Sequence, residues 1–155
     1  MNKDFGNWLA GLTDGEGSFS LWFTAPDRCE PQFVIAQRAD NIALLQHIRE
    51  ETALGYITVS QQGRQNPMAL WVVRGVADCL QVVDIFHNYP LRGTKAEVFA
   101  LWAIAVEKFL ADEKIPPKAL HEAIKQRKHF RSYKFTAAAS PKQLYKLQKR
   151  QEALR

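Results

Sequence analysis

The stretch Leu-Ala-Gly-Leu-Thr-Asp-Gly-Glu-Gly at residues 9–17, followed by Ser18 and Phe19, constrains this chain more than any other segment. Gly11 and Gly15 are four apart, so on a helix they share one face and strip it of side chains, which lets a second helix approach closely. A glycine inside a helix costs roughly 1 kcal/mol relative to alanine, so Gly11 implies a gain from the missing side chain. Glu16 falls at the C-terminal end of that helix, at the bottom of such a contact, where a metal could be held. Asp-Gly-Glu-Gly strings also form turns in which glycine supplies a positive φ, and the same letters fit that reading.

Hydrophobic spacing lays out the rest. A first helix spans about Asp4 to Asp14. Phe19, Leu21 and Phe23 alternate with Ser20, Trp22 and Thr24, the period of a half-buried strand. Residues 25–31 read as a turn, and Gln32 to Arg38 as a second strand. Asp40 can cap a helix carrying Ile42, Leu45 and Ile48, stopped by Gly55. Tyr56 to Gln62 and Met68 to Arg74 read as strands around a polar turn at residues 63–67, and Val76 to Phe86 as a helix. A further helix starts at Thr94, with Glu97 in capping-box spacing, and ends near Leu110. Pro116-Pro117 opens a short helix to about His129, and Ser140-Pro141 opens a lysine-rich one. Hairpins interleaved with helices predict an α+β fold, helices packed on one face of an antiparallel sheet. The order is αββαββα, the second half repeating the pattern of the first with no detectable repeat in sequence.

Composition narrows the class. At 155 residues, 46% hydrophobic and 24% charged, the chain has the size and balance of one globular domain, and no apolar run approaches the roughly 20 residues of a membrane span. The residues at the start lack the apolar stretch of a secretory signal, and Cys29 and Cys79 lack metal-ligand spacing. These features predict reduced thiols in a cytoplasmic or organellar compartment and no membrane partner. Residues 1–90 hold six Lys/Arg against ten Asp/Glu, whereas residues 91–155 hold fifteen against six. A basic C-terminal part suits a polyanion, since neutralised phosphates release counterions. Charge alone fits a solvated basic helix equally well.

The nonapeptide resembles the motif that names the LAGLIDADG homing endonucleases, matching six of its nine letters, in a single copy. Trp8 before it and Ser18-Phe19 after it also suit that family. The resemblance covers about residues 5–110, with 111–155 as a basic helical extension, and it implies a curved four-stranded antiparallel sheet laid along a DNA groove. It further implies a homodimer, its interface at Trp8, Gly11 and Gly15, that binds a long, nearly palindromic double-stranded DNA and cuts both strands, leaving short 3′ overhangs. Two or more Mg²⁺ ions would supply hydroxide and stabilise the leaving oxygen. The same scaffold also occurs in intron maturases, which bind intron RNA, and in transcription regulators that no longer cut. Such members usually lose the motif's acidic residue, whereas this chain keeps Glu16.

Residue by residue, the resemblance assigns Glu16 and the Gly15 backbone carbonyl to the metal, and places Asp14 as a structural residue. Gln37, at the end of the second strand, matches a residue that orders water around the metals. A basic residue before the next helix would steady the developing charge: Lys95 first, Arg92 in reserve. Thr13 stands where the family usually has an apolar residue. Base reading would fall to the outward strand positions Ser20, Trp22, Thr24, Gln32, Val34, Arg38, Thr58, Ser60 and Gln62 and to the turn residue Arg64. A polar strand face is equally the ordinary wet side of an antiparallel sheet.

Overall fold

The first helix, α1, runs from Lys3 to Glu16 in a computed structural model that describes residues 1–25, 28–60 and 67–110. Asn2 caps it, its side-chain oxygen accepting from the Phe5 N–H at 2.8 Å. The helix runs two residues further at its C-terminal end than the spacing of apolar residues suggests, so the Asp-Gly-Glu segment is helical and not a turn. It passes into the first strand with no loop, because Gly17 is already extended at φ −68°, ψ 151°. A Cβ on Gly17 would lie 2.5 Å from Thr13 Cγ2 and 2.8 Å from Thr13 O, so only glycine permits this junction.

The strands β1 (Gly17–Ala25), β2 (Arg28–Arg38), β3 (Tyr56–Ser60) and β4 (Met68–Arg74) form one antiparallel sheet in the order β1-β2-β4-β3. Between the hairpins runs α2 (Ile42–Thr52), and α3 (Val76–Asn88) and α4 (Lys95–Leu110) follow. The expected α+β order is therefore present, with the two hairpins side by side and β2 and β4 at the centre. The expected helices at 116–129 and beyond 140 lie outside the described residues.

Three local expectations are corrected. Residues 28–31, read as turn, extend β2: Cys29, Glu30 and Pro31 pair with Phe23, Trp22 and Leu21. Proline is tolerated there because the Pro31 carbonyl accepts from Gly75 N–H just past the end of β4. The missing proline N–H would have pointed to that same side, where Gly75 O already accepts from Cys79 N–H at 3.0 Å. Asp40 does not cap α2; it sits in a 3-10 turn, Ala39–Asn41, and pairs with Arg38 at 2.8 Å. The end of α2 comes before Gly55, at Ala53, which takes the left-handed conformation at φ 55°.

Inward strand residues meet the helices in an aromatic-rich core. Phe19 lies 4.9 Å from Phe33 and 5.1 Å from Trp102, centroid to centroid, and Phe86 packs on Phe33 and Phe99. The indole N–H groups of buried Trp71 and Trp102 donate to Leu54 O and Ser20 O, so neither tryptophan leaves a polar atom unpaired. These contacts hold α4 against β1 and fix which of its faces looks inward.

Cys29 and Cys79 are both free and buried. Burial, reinforced by the charges of Asp78 and Glu30, pushes the Cys79 thiol up to about 12 from the ordinary 9.0. The folded chain therefore holds this proton where the unfolded chain releases it. Its contribution to stability is intact below pH 9 and is lost as the pH rises toward 12. Chemical denaturation across that range should show wild-type stability falling more steeply than that of Cys79→Ala.

Candidate active site

Three elements converge on the carbonyl end of α1. The last turn of this helix carries no basic residue of its own to meet its unpaired carbonyls. Lys95, the first residue of α4, fills that role: its Nζ donates to Thr13 O at 3.0 Å and to Gly15 O at 2.7 Å. Although charged, Lys95 is only 2% exposed. It is placed there by the core, since Val98, Phe99 and Trp102, one and two turns on, are buried against β1 and α3. The loop before α4 is tied to α1 separately. Asp14 Oδ2 accepts from the backbone N–H groups of Arg92 at 2.8 Å and Gly93 at 3.0 Å. A Cβ on Gly93 would come within 2.9 Å of Asp14 Oδ1, so the loop needs glycine to approach this closely.

Glu16 follows Gly15 at the very end of α1 and is exposed. Gln37 stands at the sheet edge from which α1 enters: Gly17 pairs with Ile35, and Gln37 lies two residues further along β2. Its Oε1 accepts from Asn41 Nδ2 at 3.2 Å. The structure thus gathers Gly15, Glu16 and Lys95 at one point, sets Gln37 at the adjoining sheet end, and holds Arg92 by its backbone with its side chain exposed. Thr13 is fully buried, and its hydroxyl has no partner among the described residues.

A carboxylate and a backbone carbonyl are hard oxygen donors at the negative end of a helix, which suits a divalent cation such as Mg²⁺. Among the described residues no group of three or more His, Cys, Asp or Glu could hold a metal ion, so Glu16 and the Gly15 carbonyl are donors that need further ligands to close a shell. A cavity of about 420 Å³ between α3 and α4, lined mainly by apolar residues such as Phe86, Leu91, Phe99 and Ile104, includes none of Gly15, Glu16, Gln37 and Lys95.

The exposed face of α1 carries Trp8, 40% exposed, with Gly11 and Gly15. A Cβ added at either glycine meets no atom of the described residues within 4 Å. On the outer sheet face, Trp22 is 46% exposed, Thr24, Arg38, Thr58 and Ser60 are exposed, and Ser20 and Gln32 are half-buried. Val34 has the outward parity but is only 9% exposed, because it lies in a central strand between Ser18 and Val72. Gln62 and Arg64 lie outside the described residues. Sequence reasoning passed over Arg74, opposite Gln32 at the end of β4. Its guanidinium lies 4.2 Å from the centre of the Trp22 ring, donates to Gln32 Oε1 at 3.2 Å and sits 3.8 Å from Glu30. The signal was its shared parity with Val72 in β4, masked by the apolar run before it.

A family model described as LAGLIDADG endonuclease matches residues 9–106. The chain belongs to the LAGLIDADG endonuclease family. Among solved structures it is similar to the archaeal intron-encoded homing endonuclease I-Vdi141I complexed with DNA, at 20% identity and TM-score 0.69, over 81% of this chain and 86% of that one. It is similar also to the homing endonuclease I-TnaI, at 19% identity and TM-score 0.66, over 79% of this chain and 94% of that one. The LAGLIDADG meganuclease I-AabMI, bound to uncleaved DNA, matches at 23% identity and TM-score 0.63, over 72% of this chain but 38% of its own length. At these identities the likeness to each is one of fold. In this LAGLIDADG chain, Asp14→Ala should destabilise by roughly 1–2 kcal/mol, since two loop N–H groups lose a charged acceptor. Amide exchange at Arg92 and Gly93 should accelerate before exchange in the sheet, a comparison that mass spectrometry can make.

Proposed function

We propose that the chain is a DNA endonuclease working as a homodimer, which makes a metal-dependent double-strand cut in a long, pseudo-palindromic site. The observation that carries this reading is the exposed α1 face, bare at Gly11 and Gly15 and ending in Glu16. Within one chain, alanine at Gly11 would have room and would favour the helix by roughly 1 kcal/mol. No described residue uses the space that glycine leaves there, and we read it as room for close approach of a second α1, which brings a second Glu16 beside the first.

In that assembly each Glu16 carboxylate and Gly15 carbonyl would hold the cation, with phosphate and water completing its shell. When bound, divalent cations supply a hydroxide at neutral pH and neutralise charge on the attacking and leaving oxygens. Lys95 offers positive charge at the same point without solvent screening. Gln37, at the sheet edge, orients water toward the site. On the outer sheet face Trp22, Thr24, Gln32, Arg38, Thr58 and Ser60, with Arg74 added, read base edges in the major groove. Residues 1–90 are net acidic, so phosphate attraction falls to the basic residues beyond 91.

Three experiments separate this reading from its rivals. With Mg²⁺ and a randomised DNA library, the wild type should cut both strands at one class of site. Glu16→Gln should bind that site and leave it intact. Sedimentation should give a dimer for the wild type and a monomer for Gly11→Leu, with the folded stability of the monomer unchanged within about 1 kcal/mol. A dimer that binds DNA or RNA and never cuts with any divalent cation points instead to a regulator or a maturase.

A further inference from the structure

The Gly15 carbonyl is claimed twice. Here it accepts from Lys95 Nζ at 2.7 Å. In the proposed assembly, on which this inference rests, the same oxygen is a ligand to a divalent cation. A carbonyl oxygen has two lone pairs, so both bonds can be drawn. Two positive charges sharing one oxygen repel, and burial of Lys95 keeps water from screening its share of that repulsion.

We propose that the Lys95 ammonium is a placeholder cation. It occupies the Gly15 carbonyl while the site lacks a metal, and an arriving divalent cation must displace it from that oxygen. Two features of the geometry support exchange over permanent capping. Lys95 is held from a second point, Thr13 O at 3.0 Å, so leaving Gly15 does not strand the charge. The Thr13 contact is buried, whereas the Gly15 contact is at the partly open side, where Glu16 is exposed. The released ammonium stays tethered beside the cation, within reach of a DNA phosphate entering the site. Metal binding to the free protein is therefore weak by construction, and DNA, which adds negative charge, strengthens it. Lys95 acts here as a positioning residue that sets the order of binding, DNA before metal.

The test is calorimetric titration of Ca²⁺ into the full-length protein without DNA, comparing the wild type with Lys95→Gln, Lys95→Met, Lys95→Arg and Glu16→Gln. Lys95→Gln keeps a neutral donor for the carbonyl end of α1, and thermal unfolding checks that each variant is folded. The expected result is Ca²⁺ affinity at least tenfold tighter than wild type in Lys95→Gln and Lys95→Met and unchanged in Lys95→Arg. Adding Glu16→Gln to Lys95→Gln should abolish the gain. Equal affinity in wild type and Lys95→Gln, or no binding by Lys95→Gln at 10 mM-order Ca²⁺ (roughly a hundredfold above a typical site of this donor type), overturns the placeholder. If Glu16→Gln weakens Ca²⁺ binding while Lys95→Gln leaves it unchanged, the metal site stands and only the placeholder falls. If the double variant Lys95→Gln/Glu16→Gln binds Ca²⁺ as tightly as Lys95→Gln alone, the metal is elsewhere and both readings fall.

Discussion

The unpaired carbonyls at the end of α1 are the point on which the rest of the site depends. A helix that stops without a loop leaves little backbone to cap itself, and α1 turns straight into β1 at Gly17. The Gly17 N–H reaches Thr13 O, and everything else comes from residues about 80 positions away. Lys95 supplies the donors, and Asp14 returns the tie by accepting from the loop that delivers the lysine. The junction is thus closed from both sides: a cation from α4 to the helix carbonyls, a carboxylate from α1 to the loop amides. Glu16, between these ties, emerges in a fixed position with its carboxylate in the open.

This closure sets the site on a rigid frame and not on a loop. The aromatic packing of Phe19, Phe86, Phe99 and Trp102 holds α4 in the helical phase that points Lys95 inward. A shift of one residue along α4 would rotate the lysine by about 100° and carry it away from α1. Core packing and site geometry are therefore one structure, and a defect in the cluster would be felt at Glu16.

The order of elements was legible because amphipathic period and turn residues agree along most of residues 1–110. The limits of β4 match the expected strand, Met68 to Arg74, to the residue. Misreadings cluster where a local signal met a tertiary one. Pro31 signals a turn in sequence, yet the end of β4 leaves it a place in a strand. Asp40 is a good cap by type, but the adjacent Arg38 takes its carboxylate. The place of Glu16 at the end of α1 was legible from the motif, whereas the burial of Lys95 and its two carbonyl partners were not. Nothing local to residues 92–95 records what lies across from them. Arg74 was missed because its partners, Trp22 and Gln32, sit on two other strands.

The strict alternation of the sheet has a consequence for how such a protein changes over time. Phe19, Leu21, Phe33, Ile35, Trp71 and Val73 face the helices, while Trp22, Thr24, Arg38, Thr58 and Ser60 alternate with them on the other side. Substitutions on the outer side touch no core volume and no contact at the end of α1. The two faces are therefore free to drift at different rates. On the proposed function, new targets are explored on the outer face while the inner face keeps the end of α1 in place. The exception is the trio of Trp22, Arg74 and Gln32, whose members hold one another and so must change together.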